Sequence, residues 1–406
     1  MYFDFVYYRK VLAFVWKQKE WPGRNRALVK LLLLTPLLSL TQAVFFLLDY
    51  VFFPALWRQQ VKDPVFIVGH ARSGTTLMHR LLAGGGQRFS YFIYWELFVP
   101  ALTQKAIVRG IGLLDNKFFG NALENRLRAW DDKTFGPHRH IHEQGLWIPE
   151  EDQFVMIGAF VSQQWAVEIP NMQEIDIFHI DKLSPQRRKR WMNHYKECVK
   201  RQLLRNGGNK IHLSKNPSMS GWVNALFDTF PDAKIIVMVR DPIQCIPSAL
   251  RMMEGAWRYK KWSEPLIKES LAAMTRISFD SFTFPVKALA GRPESSYCFV
   301  DYRDLTSKPK ETLQAVYAKL EWTMSDQFTD YLTSQQDRER KHVSKFKYDL
   351  KNYAVTATQI ETELDDLYQQ YGWPRPSEQA AIENVKDEPV PEQSTTPDQP
   401  TTTAEE

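Results

Sequence analysis

The chemistry most directly readable from the chain lies in eight residues, Gly69-His70-Ala71-Arg72-Ser73-Gly74-Thr75-Thr76. They follow the short apolar run Val65-Phe66-Ile67-Val68 and lead into a helical period with Leu77, Leu81 and Leu82 on one face. A turn of this kind aims backbone amides and the positive end of a helix at one point, which makes a cradle for a phosphate or sulfate group. The spacing fits the G-x-x-x-x-G-x-[ST] pattern of nucleotide-binding loops, except that Thr75 stands where such loops carry lysine. A nucleoside triphosphate needs that lysine and a magnesium ion, whose second anchor is normally an aspartate ending a neighbouring apolar strand. The natural candidate strand, Ile235 to Val239, ends in Arg240 instead. A cation there favours a ligand with a second phosphate over one carrying magnesium.

Three segments then occur in order: Arg72-Ser73-Gly74-Thr75-Thr76-Leu77, Arg240-Asp241-Pro242 with Ser248 eight residues past the arginine, and Tyr302-Arg303-Asp304-Leu305. Together they resemble the sulfotransferase superfamily, in the broad branch whose phosphosulfate loop reads R-S-G-T-T-L. The resemblance spans about residues 63–350 and departs from the usual pattern at Arg303, where Glu is common. It implies 3′-phosphoadenosine-5′-phosphosulfate as co-substrate, with no metal. By the same resemblance, Ser73, Gly74, Thr75 and Thr76 hold the 5′-phosphosulfate, Arg240 and Ser248 grip the 3′-phosphate, and Tyr302 meets the adenine or the 3′ side. Arg72 takes the place where cytosolic members carry a catalytic lysine. A guanidinium stays protonated, so Arg72 is expected to bind the donor and neutralise charge on the leaving oxygen rather than donate a proton. Pro247 is expected to kink the helix that carries Ser248.

A base must also take the acceptor's proton. Glu96, in Tyr94-Trp95-Glu96-Leu97, stands where related branches place a catalytic glutamate, and the adjacent aromatic rings would raise its pKa by desolvation. His142 and Glu150-Glu151-Asp152 are the runners-up for that role. Lys215, in Ser214-Lys215-Asn216-Pro217 after an apolar run, is a second cation for the leaving group, with a surface lysine as its plain alternative. His138, His140 and His142 would share one face if extended, but no Cys or Asp ligand pattern accompanies them and no metal site is expected. A P-loop kinase acting on a small molecule is the nearest competing enzyme, and Thr75 and Arg240 stand against it. A catalytically inactive, membrane-associated nucleotide-binding protein is the alternative from another class.

The elements that must position these residues read as strands alternating with helices. Further apolar runs at Ile211-His212-Leu213, Ile235 to Val239 and Tyr297-Cys298-Phe299-Val300 are separated by helical patterns. The expected fold is α/β, a P-loop-type doubly wound parallel sheet flanked by helices. A sulfotransferase domain is expected over residues 61–375, with a mostly helical, aromatic acceptor-side insertion at about 100–205. Residues 376–406 are rich in Pro, Thr, Gln and acid, and read as a disordered tail. That tail carries eight acidic side chains from position 377 on against Lys386, so the +5 of the whole chain conceals a body of +12. A basic body suits a polyanionic nucleotide or an anionic membrane surface. Nucleic acid is not the expected partner; a small-molecule or lipid acceptor is.

Residues 1–60 form an apolar helical segment. Leu31 to Leu48 carries no charge, and the run resumes after Asp49 as far as Trp57. Its length just reaches that of a span, while Pro36 would kink a helix there. An interfacial helical hairpin making peripheral membrane contact through residues 28–57 is the leading expectation, with a true span and ordinary core helices as alternatives. Seven basic residues from Arg9 to Lys30 favour a cytoplasmic N-terminus either way. Cys198, Cys245 and Cys298 show no disulfide or zinc spacing, no secretory signal is visible, and the one Asn-x-Ser triplet, Asn216-Pro217-Ser218, is blocked by proline. All three point to a cytoplasmic, reducing location.

Overall fold

The computed structural model describes residues 1–139, 144–340, 350, 353–375 and 377. Five strands form one parallel sheet: β1 (Val65–Gly69), β2 (Phe89–Ser90), β3 (Ile211–Lys215), β4 (Lys234–Val239) and β5 (Tyr297–Asp301), in the order β2-β3-β1-β4-β5. The register sets Ile67 opposite Lys215, Gly69 opposite Met238 and Val239 opposite Asp301. Because every strand runs the same way, the loops after β1, β3, β4 and β5 leave from one edge, where open α/β sheets bind their ligands.

Alternation along the central strands divides the core in two. Phe66 and Val68 with Ile235, Val237 and Val239 face a large cluster that includes Trp191, Trp222 and Trp257. Val65 and Ile67 with Ile236 and Met238 face the helices Thr75–Ala83 and Pro309–Lys319. Cys198, Cys245 and Cys298 are buried and unpaired.

The N-terminal helices join the larger cluster through Tyr7, Val11, Val15, Leu28, Leu31 and Phe46. Asp4 fixes the first of them, accepting from the Tyr7 amide at 2.9 Å, from Arg187 and from the Trp191 indole at 2.7 Å. Arg24 to Phe52 is then one continuous 29-residue helix, long and apolar enough to cross a membrane. Pro36 does not break it. A widened π turn over Lys30–Leu34 precedes the proline, and such a turn relieves the clash that the ring makes with a regular helix.

Within residues 100–205, Leu102–Phe119 and Ala122–Phe135 form two helices, and Pro185–Arg205 forms a third that lies against the core. The tail expected to be disordered falls outside the described residues, apart from Ser377.

Candidate functional site

Two glycines set the shape of the loop after β1. Gly69 has φ +132°, and a Cβ there would lie 2.2 Å from the Met238 carbonyl oxygen, so only glycine lets β1 and β4 approach so closely. Gly74 has φ +92°, and a Cβ there would strike the Tyr302 ring at 2.4 Å. Between them Arg72 takes φ +72°, a left-handed conformation that costs a non-glycine residue about 1–3 kcal/mol. The Ser220 hydroxyl donates to the Gly69 carbonyl at 3.1 Å and ties down the start of the loop.

No side chain caps the helix Thr75–Ala83, whose first amides face the loop. Ser73 is fully buried, and its hydroxyl has no hydrogen-bond partner among the described residues. An uncapped helix start beside a buried orphan hydroxyl fits a tetrahedral anion.

The other two segments close on this loop. Arg240, directly after β4, donates to the Arg72 carbonyl at 3.2 Å and lies 4.3 Å over the Tyr302 ring. Arg72 Nε donates to Ser248 Oγ at 3.2 Å. The helix Pro242–Tyr259 runs unbroken through Pro247, which costs it a single backbone bond near its start, and so Ser248 stays on the face that meets the loop. Arg72, Ser73, Gly74, Arg240, Ser248 and Tyr302 therefore form one cluster at the carboxyl edge, with Thr75 and Thr76 opening the helix beside it.

Lys215 ends β3 on the same edge and is almost completely buried. Its Nζ lies 3.1 Å from Glu151 Oε1 and 3.3 Å from Glu150 Oε1. Burial alone would push the ammonium down, but Glu151 and Glu150 outweigh it and hold its pKa above the ordinary value. His79, on the loop's helix, is pushed down to about 3 by burial and by Lys215, and its Nε2 has no partner among the described residues. Ser218, three residues past Lys215, likewise carries a buried hydroxyl without a partner among them.

Beneath Lys215, Asp152 accepts from Tyr195 at 2.5 Å, from Ser214 at 2.8 Å and from Asn216, and lies 2.8 Å from His212 Nε2. Sequence reasoning named Asp152 as a candidate base but missed its partners here, and missed His79. The alternation of His212 and Ser214 along β3 was the available signal.

Glu96 lies on a single turn (Tyr94–Leu97) a few residues after β2, which runs parallel to β3. Its carboxylate accepts from the Ile93 amide at 3.2 Å and from Gln202 at 2.8 Å, and pairs with buried Lys105 at 3.4 Å. It is linked to the Lys215 cluster through backbone pairing: the Tyr94 amide donates to Ile148 at 3.0 Å and the Glu150 amide to Phe92 at 3.1 Å. His142, and His140 with it, fall outside the described residues.

The fold is a doubly wound parallel sheet with a glycine-shaped loop at its carboxyl edge, on which Arg240 closes from the end of β4. The profile described as "Sulfotransferase family" matches residues 64–326, and the chain belongs to that family. It is 24% identical over 331 residues to omega-hydroxy-beta-dihydromenaquinone-9 sulfotransferase Stf3 of Mycobacterium bovis, covering 77% of this chain and 76% of that protein. The protein of the same name from Mycobacterium tuberculosis matches to the same extent. Among solved structures, sulfotransferase STF9 from Mycobacterium avium superposes with a TM-score of 0.70 at 17% identity, covering 92% of this chain and 93% of that one. Sulfotransferase STF1 from Mycobacterium tuberculosis does so with 0.58 at 18% identity, covering 88% and 92%.

Proposed function

We propose that this sulfotransferase moves the sulfuryl group of 3′-phosphoadenosine-5′-phosphosulfate onto a hydroxyl or amine of a lipid-like acceptor. The observation that carries the donor assignment is the convergence of Arg72, Arg240, Ser248 and Tyr302 on a loop with uncapped amides and an orphan Ser73 hydroxyl. Ser73, Gly74, Thr75 and Thr76 would hold the 5′-phosphosulfate, and Arg240 with Ser248 the 3′-phosphate, with Tyr302 beside them. The co-substrate supplies an activated sulfuryl group. Arg72 and Lys215 neutralise charge at the leaving oxygen, Arg72 as a fixed cation and Lys215 as an ammonium kept charged by Glu150 and Glu151.

Two carboxylates compete for the acceptor's proton. Glu96 has the position expected from related branches, but its carboxylate is already engaged by Lys105, Gln202 and the Ile93 amide. Glu151 also has partners, Lys215 and Gln163, but it is partly open to solvent and lies beside Lys215 at the sheet's carboxyl edge, which favours it as the base. The lipid-like acceptor is supported by the mycobacterial relative, whose name gives a hydroxylated menaquinone derivative as its substrate. The apolar helix Arg24–Phe52 supports an association with a membrane. Transfer of labelled sulfate from the nucleotide to an extracted lipid fraction tests the whole reading; magnesium-dependent ATP turnover in its place would overturn it.

A further inference from the structure

A surface helix of a water-soluble protein buries its apolar stripe and exposes its polar one. Three helices on one side of this molecule do the reverse. In the helix reaching Phe52, the buried residues include Thr35, Gln42 and Asp49, while Leu33, Leu37, Leu40, Val44, Leu47 and Val51 are 46–71% exposed. In Leu102–Phe119, Lys105 and Asp115 are buried, and Ile107, Ile111, Leu114 and Phe118 are 47–63% exposed. In Ala122–Phe135, Asp131 is buried, and Leu123, Leu127 and Trp130 are exposed. Spacings of three and four put each exposed set on one face of its helix. The first helix packs on the second, and the second on the third.

The inversion is fixed from inside. Asp49 pairs with buried Arg201 at 2.8 Å and accepts from the Leu102 and Thr103 amides, capping the second helix. Asp115 accepts from the Leu123 and Glu124 amides, capping the third. Asp131 accepts from the Leu146 amide at 2.7 Å. Turning any of these helices to hide its leucines would leave buried polar groups without partners, at a cost that holds the stripes outward.

We propose that the three stripes form one face that docks onto an anionic phospholipid bilayer. Charge selects this occupant over a second copy of the chain. Between residues 24 and 62, and again between 97 and 123, the only acidic side chains are Asp49 and Asp115, and both are buried; on the third helix the exposed Glu124 and Asp132 are each paired with an arginine, Arg128 and Arg139. Arg26, Arg109, Lys117 and Arg126 are exposed on or beside the same helices, and Arg9, Lys10, Lys17 and Lys19 on the helical segment before them. Two copies of this face would set cations against cations, whereas an anionic headgroup layer meets them. The buried Asp49–Arg201 pair and Gln42 hold the first helix along the bilayer surface, since crossing would strip it from these partners.

The face extends well beyond residues 28–57, and it bears on the site. The helix Leu102–Phe119 begins five residues after the turn that carries Glu96, and the segment leading into that turn pairs with the one that brings Glu150 to Lys215. An acceptor alcohol dissolved in the bilayer would therefore be presented beside the reacting edge. This consequence, unlike the docking itself, rests on the sulfotransfer reading.

Co-sedimentation of the full chain with vesicles of phosphatidylcholine, alone or mixed with phosphatidylglycerol, tests the proposal. Binding to the mixed vesicles should be at least about tenfold tighter than to neutral ones. Ile111→Glu with Leu114→Glu should weaken binding by about tenfold or more, as should Leu40→Glu with Leu47→Glu. Loss in the second pair only, or no vesicle binding at all, overturns the three-helix face. So does a dimer in solution that the first pair dissociates without changing vesicle binding. Hydrogen exchange on the unsubstituted protein is a second measurement, independent of how the variants fold: the amides of residues 104–119 should slow on mixed vesicles, and unchanged exchange there overturns the face. Titrating adenosine 3′,5′-bisphosphate into the same preparations separates the two readings, because docking without nucleotide binding would sink the donor assignment and leave the membrane face standing.

Discussion

The donor edge and the outer helices of this protein are held by different means. At the edge, close approach of backbone fixes the geometry: Gly69 against Met238, Gly74 against Tyr302, and the Arg72 carbonyl under Arg240. On the outer side, single buried polar side chains do the work, some of them bridging elements far apart in the chain, as Asp49 bridges to Arg201 and Glu96 to Gln202. A site built from backbone tolerates few residue types anywhere along the loop. A face built from a few internal anchors tolerates wide change on its surface and almost none at the anchors.

That contrast is most exposed to test at Asp49. Asp49→Ala leaves Arg201 buried with Glu197 alone, and should cost about 3 kcal/mol of stability, whereas Leu47→Ala, two residues away and exposed, should stay within about 0.5 kcal/mol. Urea denaturation of the two variants checks this, and equal costs would erase the distinction between anchor and surface.

The two carboxylates divide in the same way. Glu151→Gln should lower turnover by roughly 10²–10⁴-fold and lower the melting temperature less than Glu96→Gln does, because buried Lys215 keeps Glu150 as a charged partner. Glu96→Gln should lower the melting temperature, because Lys105 is left buried with a neutral partner, and leave turnover within a few fold. Steady-state assays beside thermal melts decide the matter; the opposite pattern would return the base to Glu96.

A smaller effect is expected at Arg240. The protein should prefer adenosine 3′,5′-bisphosphate to adenosine 5′-monophosphate by at least about tenfold, a charge-assisted contact being worth about 1.5–3 kcal/mol. Arg240→Ala should lose most of that preference. Inhibition constants for both nucleotides provide the measurement, and equal constants in the unsubstituted protein would mean that it has no 3′-phosphate pocket.

The smallest effect concerns the anchor of the first helix. Burial pushes the Asp4 carboxyl up, but Arg187, the Tyr7 amide and the Trp191 indole outweigh it and hold its pKa below the ordinary 3.8. A depressed carboxylate contributes stability that is complete above its unfolded value and is lost as the pH falls through its folded value. The melting-temperature gap between the protein and Asp4→Asn should therefore be constant near neutrality and close as the solution is acidified below about pH 4. A gap that persists into stronger acid would assign the anchor to packing rather than charge.

The sheet and the loop at its carboxyl edge were the legible part. The residues of the loop are consecutive, its glycines carry their meaning locally, and the unbroken apolar runs of β1 and β4 announce strands buried on both faces. Pro36 and Pro247 read as kinks, and local rules do not announce that both helices continue through them, past a π turn in one case and at a position near a helix start in the other. The pairing of Lys215 with Glu150 and Glu151 spans more than sixty residues and depends on how the insertion folds back, so nothing local announces it. The inverted helices were hidden for another reason. Hydropathy registers that Leu40 and Gln42 are neighbours but not which of them faces outward, and that choice is made by Asp49, Arg201 and the Phe98 carbonyl.

The strand order also has a consequence for how the chain is made. β1 lies between β3 and β4, and Val65 pairs with Leu213 on one side and Lys234 on the other. A ribosome adding roughly 5–20 residues per second needs about 7–30 s to supply the first of those partners. Throughout that interval the apolar strand, and the leucine-rich helix ahead of it, have no sheet to join. The helix that reaches Phe52 is made before β1 is, and it is the first long apolar segment of the nascent chain able to meet a membrane surface.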